Sequence, residues 1–221
     1  MKWYLTFLQL GLLFSAVHAQ DPWKDIYKES SWEQRDTWQR ADEIIQKLNI
    51  KAGSTVADIG CHEGYFTMKL SQIVQGNGKV YAVDINKDKI EKLKKHLSDR
   101  ETRNVSPIVG DKSDPKLPNL PLDAVLIVDT YHEMDEHQQI LQHIKETLKP
   151  SGRLVICEPI SDGRKKLSRA EQERKHELGM NYASEDLKQA GFKIIWQQEK
   201  FVNRVKEKGD NMWIIVCERL N

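Results

Sequence analysis

Short apolar runs alternate along the chain with stretches that place their apolar residues on one helical face. The runs cover residues 55–60, 79–84, 105–109, 124–129 and 153–158, and the amphipathic stretches cover 64–74, 87–98 and 135–148. Runs that are apolar throughout predict strands buried on both faces, and helices between such strands predict parallel pairing. The pattern therefore predicts an α/β fold with a doubly wound, mostly parallel sheet.

The two ends of the chain depart from this alternation. After a helix predicted to start at Ser184 and stop at Gly191, apolar runs at 192–200 and 212–219 have only a turn-rich loop between them. Such a connection predicts an antiparallel hairpin. Before the first strand, apolar residues within 38–48 share one helical stripe, which predicts a helix.

The highly charged segment 161–177 connects the fifth predicted strand to the C-terminal end. Charged stretches of this kind usually form a solvent-exposed helix. The alternative interpretation is a mobile cover over a binding site.

The N-terminal stretch has the pattern of a secretory signal peptide. Residues 3–20 carry no formal charge, follow Lys2, and place small residues before position 20. We expect cleavage after Ala19, and the alternative is an uncleaved membrane anchor. This predicts a signal peptide at 1–19, a helical cover at 20–50 and the main domain at 51–221. The mature chain is then exported, periplasmic or secreted, without stable membrane insertion.

Charge and cysteine content exclude two further classes of protein. The chain has 34 Lys and Arg against 33 Asp and Glu, a formal net charge of +1, so we expect no nucleic-acid partner. Three cysteines are too few for a disulfide scaffold. Cys157 and Cys217 are predicted at opposite strand ends, beyond the reach of a disulfide, so we expect free, buried thiols, Cys61 included.

Candidate ligand-binding residues follow the first three predicted strands. Asp58, Gly60 and Gly64 lie where the first strand turns into a helix, and the glycines let a ligand approach the backbone. Asp58 suits an ammonium group. Asp84 ends the second strand, where it can accept both hydroxyls of a ribose, and Asp111 follows the third, where it can accept an adenine amine. Together they predict a site for an adenosine that carries an amino acid.

The segment from Asp58 to Gly64, with Gly60 between them, resembles the (D/E)xGxGxG motif of class I S-adenosylmethionine (SAM)-dependent methyltransferases. Asp84 and Asp111 match the family's ribose- and adenine-contacting acids, and the turn before the fifth strand and the terminal hairpin also match. The resemblance covers about residues 40–219 and implies a Rossmann-like seven-stranded sheet with SAM as cofactor. It implies these cofactor-binding residues: Asp58, Gly60, His62, Gly64, Asp84, Asp111 and Asp129.

His62 departs from the motif, in which the middle residue is glycine. If this position requires a positive φ, His carries a strain cost, although it tolerates that conformation better than most residues. We therefore expect a working pocket with an altered wall. A direct contact between His62 and the substrate is the alternative.

Residues 128–134 resemble the segment that faces the departing methyl in a small-molecule subgroup, some of whose members carry signal peptides. His132 has a pKa suited to a base that takes a proton from a hydroxyl, thiol or ammonium acceptor. The alternative is that His132 only packs beside the cofactor. His176 is similarly either a surface residue or one presented to the acceptor.

Two metal-site patterns fail in the sequence. His132 and His137 flank Glu133 with a spacing of five, whereas the zinc-protease motif requires four. Metal-dependent catechol-type methyltransferases need an Asp-Asn pair after the fifth strand, where residues 158–160 read Glu-Pro-Ile. The sequence therefore predicts no metal.

The leading hypothesis is an exported SAM-dependent methyltransferase that transfers the methyl group in line to a small-molecule acceptor. The alternative is a non-catalytic exported module of the same fold that holds a nucleoside or another metabolite, because SAM is a charged molecule made in the cytosol. A nicotinamide oxidoreductase is excluded by the spacing of Gly60 and Gly64. No feature of the sequence points to a particular oligomeric state.

Overall fold

Seven strands form one sheet whose parallel members end along a common edge. The computed structural model describes residues 26–220, and the strand order is β3-β2-β1-β4-β5-β7-β6. The strands are β1 (Thr55–Ile59), β2 (Lys79–Asp84), β3 (Val105–Val109), β4 (Leu122–Val128), β5 (Leu148–Ile160), β6 (Phe192–Arg204) and β7 (Asp210–Arg219). Strands β1 to β5 pair in parallel, and β7 is antiparallel to β5 and β6. The predicted doubly wound sheet and terminal hairpin are confirmed.

Helices cover both faces of the sheet. They are α1 (Trp32–Asp36), α2 (Ala41–Gln46), α3 (Tyr65–Val74), α4 (Lys87–Asp99), α5 (His137–Thr147), α6 (Arg169–Glu173), α7 (Met180–Gln189) and α8 (Val205–Lys208). One apolar cluster packs α2, α3 and α4 on one face through Ile44, Leu70 and Leu93. A second packs α5 and α7 on the other face through Ile144 and Leu187. The sheet is therefore buried on both sides, as its continuous apolar runs require.

Three local expectations differ from the structure. The stripe within 38–48 forms a helix, α2, only from Ala41 onwards, because Arg40 before it is left-handed with a φ of +52°. Helix α7 starts at Met180 rather than Ser184, so the expected start was wrong. The Ser184-Glu-Asp segment lies inside the helix, where Asp186 accepts a hydrogen bond from the hydroxyl of Tyr131 at 3.0 Å. The turn-rich loop before β7 contains the single-turn helix α8.

The three cysteines are free and buried, as predicted. Cys157 pairs with Ile214 in the β5–β7 ladder, whereas Cys217 pairs with Leu154 three residues earlier on β5. Burial raises the pKa of Cys157 and Cys217 above that of an ordinary thiol, which leaves both in the unreactive protonated form.

The predicted signal peptide at 1–19 lies outside the described residues, as does the first part of the predicted cover at 20–50. Between residues 26 and 220, no helix combines the length and the apolar character needed to cross a membrane.

Candidate active site

A cavity of ≈ 1430 Å³ opens at the carboxyl ends of β1, β2 and β4. This is where the strand order reverses, because β2 lies on one side of β1 and β4 on the other. In open α/β sheets, ligands bind in the crevice at such a reversal. The predicted site residues that line the cavity are Asp58, Gly60, His62, Asp84, Asp111, Asp129 and His132.

The turn after β1 needs both of its glycines. Gly60 has a φ of +80°, and a Cβ placed on it would overlap the side chain of Thr130 at the end of β4. Gly64 has a φ of +102° and forms the N-cap of α3, although it does not line the cavity. A Cβ on Gly64 would lie 2.5 Å from Leu93. The turn is therefore a closely packed left-handed connection between β1 and α3.

Asp84 joins the turn to the end of β2. Its Oδ2 accepts a hydrogen bond from the backbone N–H of His62 at 2.9 Å, and its Oδ1 accepts one from Asn86 at 2.8 Å. Each carboxylate oxygen keeps a further lone pair for a ligand hydroxyl. Asp111, after β3, is exposed and lines the same cavity, with Oδ1 accepting from the N–H of Lys112 at 2.7 Å.

The carboxylate of Asp58 is buried at the end of β1. It is 3% exposed, and its Oδ2 accepts a hydrogen bond from the hydroxyl of Thr67 at 2.6 Å. Burial raises the pKa of Asp58 to about 6, although the bond from Thr67 opposes that shift. A cationic ligand group beside Asp58 would favour its charged form.

His62 has a φ of +50°, so the position of the motif's middle glycine does require the left-handed conformation. Its ring centroid lies 5.7 Å from that of Tyr27. Burial lowers the pKa of His62 to about 4, with help from the positive charge of Lys89. The imidazole of His62 is therefore uncharged at physiological pH and forms part of the cavity wall.

Asp129 is part of an ion cluster that sequence reasoning missed. Its carboxylate is 3% exposed, pairs with the fully buried Arg204, and accepts a hydrogen bond from the hydroxyl of Tyr27 at 2.5 Å. Burial opposes the negative charge, but Arg204 and Lys208 hold the pKa of Asp129 well below its usual value. Arg204 also pairs with Asp210, its neighbour across the β6–β7 ladder. The sequence signal that could have indicated this cluster was the placement of Arg204 and Asp210, opposite charges on either side of the hairpin loop.

The carboxylate of Asp129 thus already has two partners from the chain itself. Its expected contact with the cofactor stays a prediction.

The buried carboxylate of Glu158 holds His132 in place. Nδ1 of His132 lies 2.5 Å from Oε2 of Glu158, and Oε1 accepts the backbone N–H groups of Thr130 and Tyr131 at 2.6 and 3.0 Å. Burial opposes a charge on His132, but Glu158 and Asp129 raise its pKa. Because the carboxylate accepts from Nδ1, the other ring nitrogen, Nε2, is left for the cavity.

The charged segment 161–177 forms one wall of the cavity through Arg164, Lys175, His176 and Glu177. It contains the short helix α6 rather than one continuous solvent-exposed helix. The side chain of His176 is 71% exposed, and its Nδ1 lies 3.2 Å from Oε1 of Glu133. His176 is thus a surface residue that also stands at the mouth of the cavity. His137 points elsewhere, with Nε2 3.4 Å from Asp186.

A family model described as a methyltransferase domain matches residues 50–210. These residues span strands β1 to β6 and the first residue of β7, including the carboxyl ends of β1, β2 and β4 that face the cavity. The chain belongs to this family.

Two curated proteins of known name are similar to part of the chain. Demethylmenaquinone methyltransferase of Staphylococcus saprophyticus is 27% identical over 128 residues, which are 58% of this chain and 53% of that protein. (S)-Coclaurine N-methyltransferase of Thalictrum flavum is 28% identical over 111 residues, 50% of this chain and 30% of that protein. The chain spans about half the length, or less, of these relatives.

Structural similarity covers more of the chain than sequence similarity does. A SAM-dependent methyltransferase from Aquifex aeolicus superposes with a TM-score of 0.73 at 21% identity, covering 91% of this chain and all of that one. The superposition confirms the predicted fold, and the family model confirms the resemblance to methyltransferases.

Replacing Gly60 by Ala is expected to lower the free energy of unfolding by about 1–3 kcal/mol, since the residue would need a left-handed backbone and its Cβ would overlap Thr130. Gly76→Ala is the matched control, because a Cβ there meets nothing within 4 Å and the φ of Gly76 is not positive. Urea denaturation of both variants measures the difference. Equal stability would contradict the packing described for the turn.

Asp58→Asn is expected to stabilise the ligand-free chain at pH 7.5 by roughly 1–3 kcal/mol. The folded chain binds the Asp58 proton more tightly than the unfolded chain, so the free energy of unfolding falls as pH rises from about 4 towards 6. Asn is uncharged at every pH, so the variant avoids this decrease in the free energy of unfolding. Its amide oxygen can still accept a hydrogen bond from the hydroxyl of Thr67.

Denaturation curves at several pH values between about 4 and 7.5 test this expectation. The advantage of the variant should be absent near pH 4 and complete above pH 6. A variant less stable than the wild type at pH 7.5 would show that the buried charge of Asp58 is not a cost to the fold.

Proposed function

We propose that the chain is an exported enzyme that transfers the methyl group of SAM, in line, to a small-molecule acceptor. The observation that carries the proposal is the convergence of Asp58, Asp84 and Asp111 on one cavity from three different strand ends. Membership of the methyltransferase-domain family supports the same activity.

SAM would lie across the reversal of strand order. Its ammonium group meets the carboxylate of Asp58, its ribose hydroxyls meet Asp84, and its adenine amine meets Asp111. Asp84 suits the ribose because both of its oxygens are oriented by backbone N–H groups, those of His62 and Asn86. Paired hydrogen bonds to an oriented carboxylate bind a diol strongly.

The cavity has room for a second molecule. Pockets for one small ligand usually occupy about 300–1,000 Å³, and this one measures ≈ 1430 Å³. Besides the residues assigned to the cofactor, the cavity is lined by His132, Glu133 and His176. A chain with 34 basic and 33 acidic residues lacks the positive field that a nucleic-acid acceptor needs. The names of the relatives, a quinone and an alkaloid methyltransferase, also support a small organic acceptor.

Methyl transfer from a sulfonium depends mainly on alignment of the reacting atoms and exclusion of water. His132 suits the acceptor side, because Glu158 fixes its ring and leaves Nε2 for the cavity. A carboxylate-held imidazole acts either as a proton acceptor or as a metal ligand. The base role expected from the sequence is the first of these.

The rival function is a binding module that holds a nucleoside without catalysis. His62 in place of the motif's middle glycine favours this module, because its side chain takes up space in the part of the cavity proposed for the cofactor. The retained acids Asp58, Asp84 and Asp111 favour SAM.

Titration of the purified chain with SAM, NAD and adenosine tests the function. We expect SAM to bind, and Asp84→Ala to weaken its binding by about 2–4 kcal/mol, because a carboxylate that accepts two hydroxyls is lost. Asp88→Ala, an exposed acid on α4 outside the cavity lining, is the control and should bind SAM like the wild type.

A dissociation constant for SAM weaker than millimolar would contradict the enzyme, and tighter binding of adenosine than SAM would favour the rival module. Unchanged affinity in Asp84→Ala would show that the ribose lies elsewhere.

Export has its own test. Produced in a Gram-negative bacterium, the full chain is expected in the periplasm with Gln20 as its first residue. The double variant Leu12→Arg and Leu13→Arg, which interrupts the apolar stretch, should stay in the cytoplasm. Full-length chain retained in the membrane fraction would favour the anchor instead.

A further inference from the structure

Three side chains of metal-binding types converge at the mouth of the cavity. They are His132 and Glu133, from the 3₁₀ turn after β4, and His176, from the segment that follows α6. One ligand atom from each lies within 4.8 Å of the others. Oε1 of Glu133 is 3.8 Å from Nε2 of His132 and 3.2 Å from Nδ1 of His176.

These separations are close to those in a metal site. Metal–nitrogen and metal–oxygen bonds of about 2.0–2.2 Å place neighbouring ligand atoms roughly 3–3.5 Å apart. The side chain of His132 is 3% exposed and fixed, whereas those of Glu133 and His176 are 60% and 71% exposed. One rigid and two adjustable ligands can therefore close around an ion by small rotations of the exposed side chains.

Glu158 completes an arrangement typical of protein metal centres. Imidazole ligands commonly donate their second nitrogen to a carboxylate, which fixes the tautomer and raises the basicity of the metal-binding nitrogen. Glu158 is fully buried, and its Oε2 lies 2.5 Å from Nδ1 of His132, so in the neutral ring with the proton on Nδ1 the lone pair that a metal needs is on Nε2.

Two carboxylates contribute negative charge to the cluster. Glu133 and Glu158 bring two carboxylates to the cluster, and Arg164, a cation that lines the same cavity, is paired with Glu177 at 2.7 Å.

We propose that His132, Glu133 and His176 bind a divalent transition-metal ion, for which Zn²⁺ is the simplest occupant. Two imidazoles and one carboxylate are a set that holds catalytic divalent metals with coordination positions left open. The open positions face the cavity, where an oxygen or nitrogen of the second ligand completes the coordination. The ion thereby orients that ligand, and this role, unlike the binding of the ion, rests on the proposed function.

The expectation of no metal rested on two failed patterns, the spacing of His132 and His137 around Glu133 and the missing Asp-Asn pair after β5. Neither pattern includes His176, and Glu158, in place of the Asp-Asn pair, supports His132 instead of binding a metal directly. His176 comes from 43 residues beyond Glu133, so no local spacing in the sequence indicates the cluster.

Calorimetric titration of the metal-free chain with Zn²⁺, and spectroscopic titration with Co²⁺, test the site without SAM or turnover. We expect one ion per chain. Glu133→Gln and His176→Ala change exposed residues and should each weaken binding at least tenfold. Glu158→Gln should weaken it about 10–100-fold, because the amide donates to Nδ1 and moves the ring proton to Nε2. His143→Ala, at a half-exposed histidine of α5 outside the cavity lining, should bind like the wild type.

Absence of binding by the wild type, or equal binding by His176→Ala, would overturn the site. The loss of methyl transfer in His132→Ala, with no change of metal affinity in any variant, would assign His132 as a base instead. SAM affinity is measured separately, in the wild type and in Asp84→Ala. Metal binding without SAM binding would therefore contradict the proposed function alone, and SAM binding without metal binding would contradict the metal site alone.

Discussion

One buried carboxylate, that of Glu158, organises the acceptor side of the cavity. It is fully buried and accepts the backbone N–H groups of Thr130 and Tyr131 together with Nδ1 of His132. A buried charge without such partners would cost several kcal/mol, so the loop after β4 must keep the conformation that satisfies it. The end of β5 therefore determines where the imidazole after β4 points, and the direction of Nε2 follows from it.

Asp84 has the same role on the cofactor side. By accepting the N–H groups of His62 and Asn86, it fixes the left-handed turn after β1 against the end of β2. Both halves of the cavity are thus set by carboxylates that accept hydrogen bonds from the backbone before any ligand arrives. Dipoles and charges fixed in this way need little reorganisation when a ligand binds.

The features predictable from the sequence are those that depend on local order. Alternating apolar runs specify the sheet, and acids placed at strand ends meet because parallel strands share an edge. The missed contacts join residues far apart: His132 to Glu158 across 26 positions, Asp129 to Arg204 across 75, and Tyr27 to Asp129 across 102. No periodicity relates such pairs. The start of α7 was misplaced for a related reason, because a capping pattern was weighed without the tertiary partners of Asp186.

The wall formed by residues 161–177 lies outside the regular sheet: it follows β5 and supplies His176 without contributing a strand. The acids that suit SAM come instead from the ends of β1, β2 and β3. Substitutions in this segment can therefore change which molecules the cavity accepts while the strand ends that carry the acids stay intact. The same sheet and acids could then serve acceptors of different shape through changes in residues 161–177 alone.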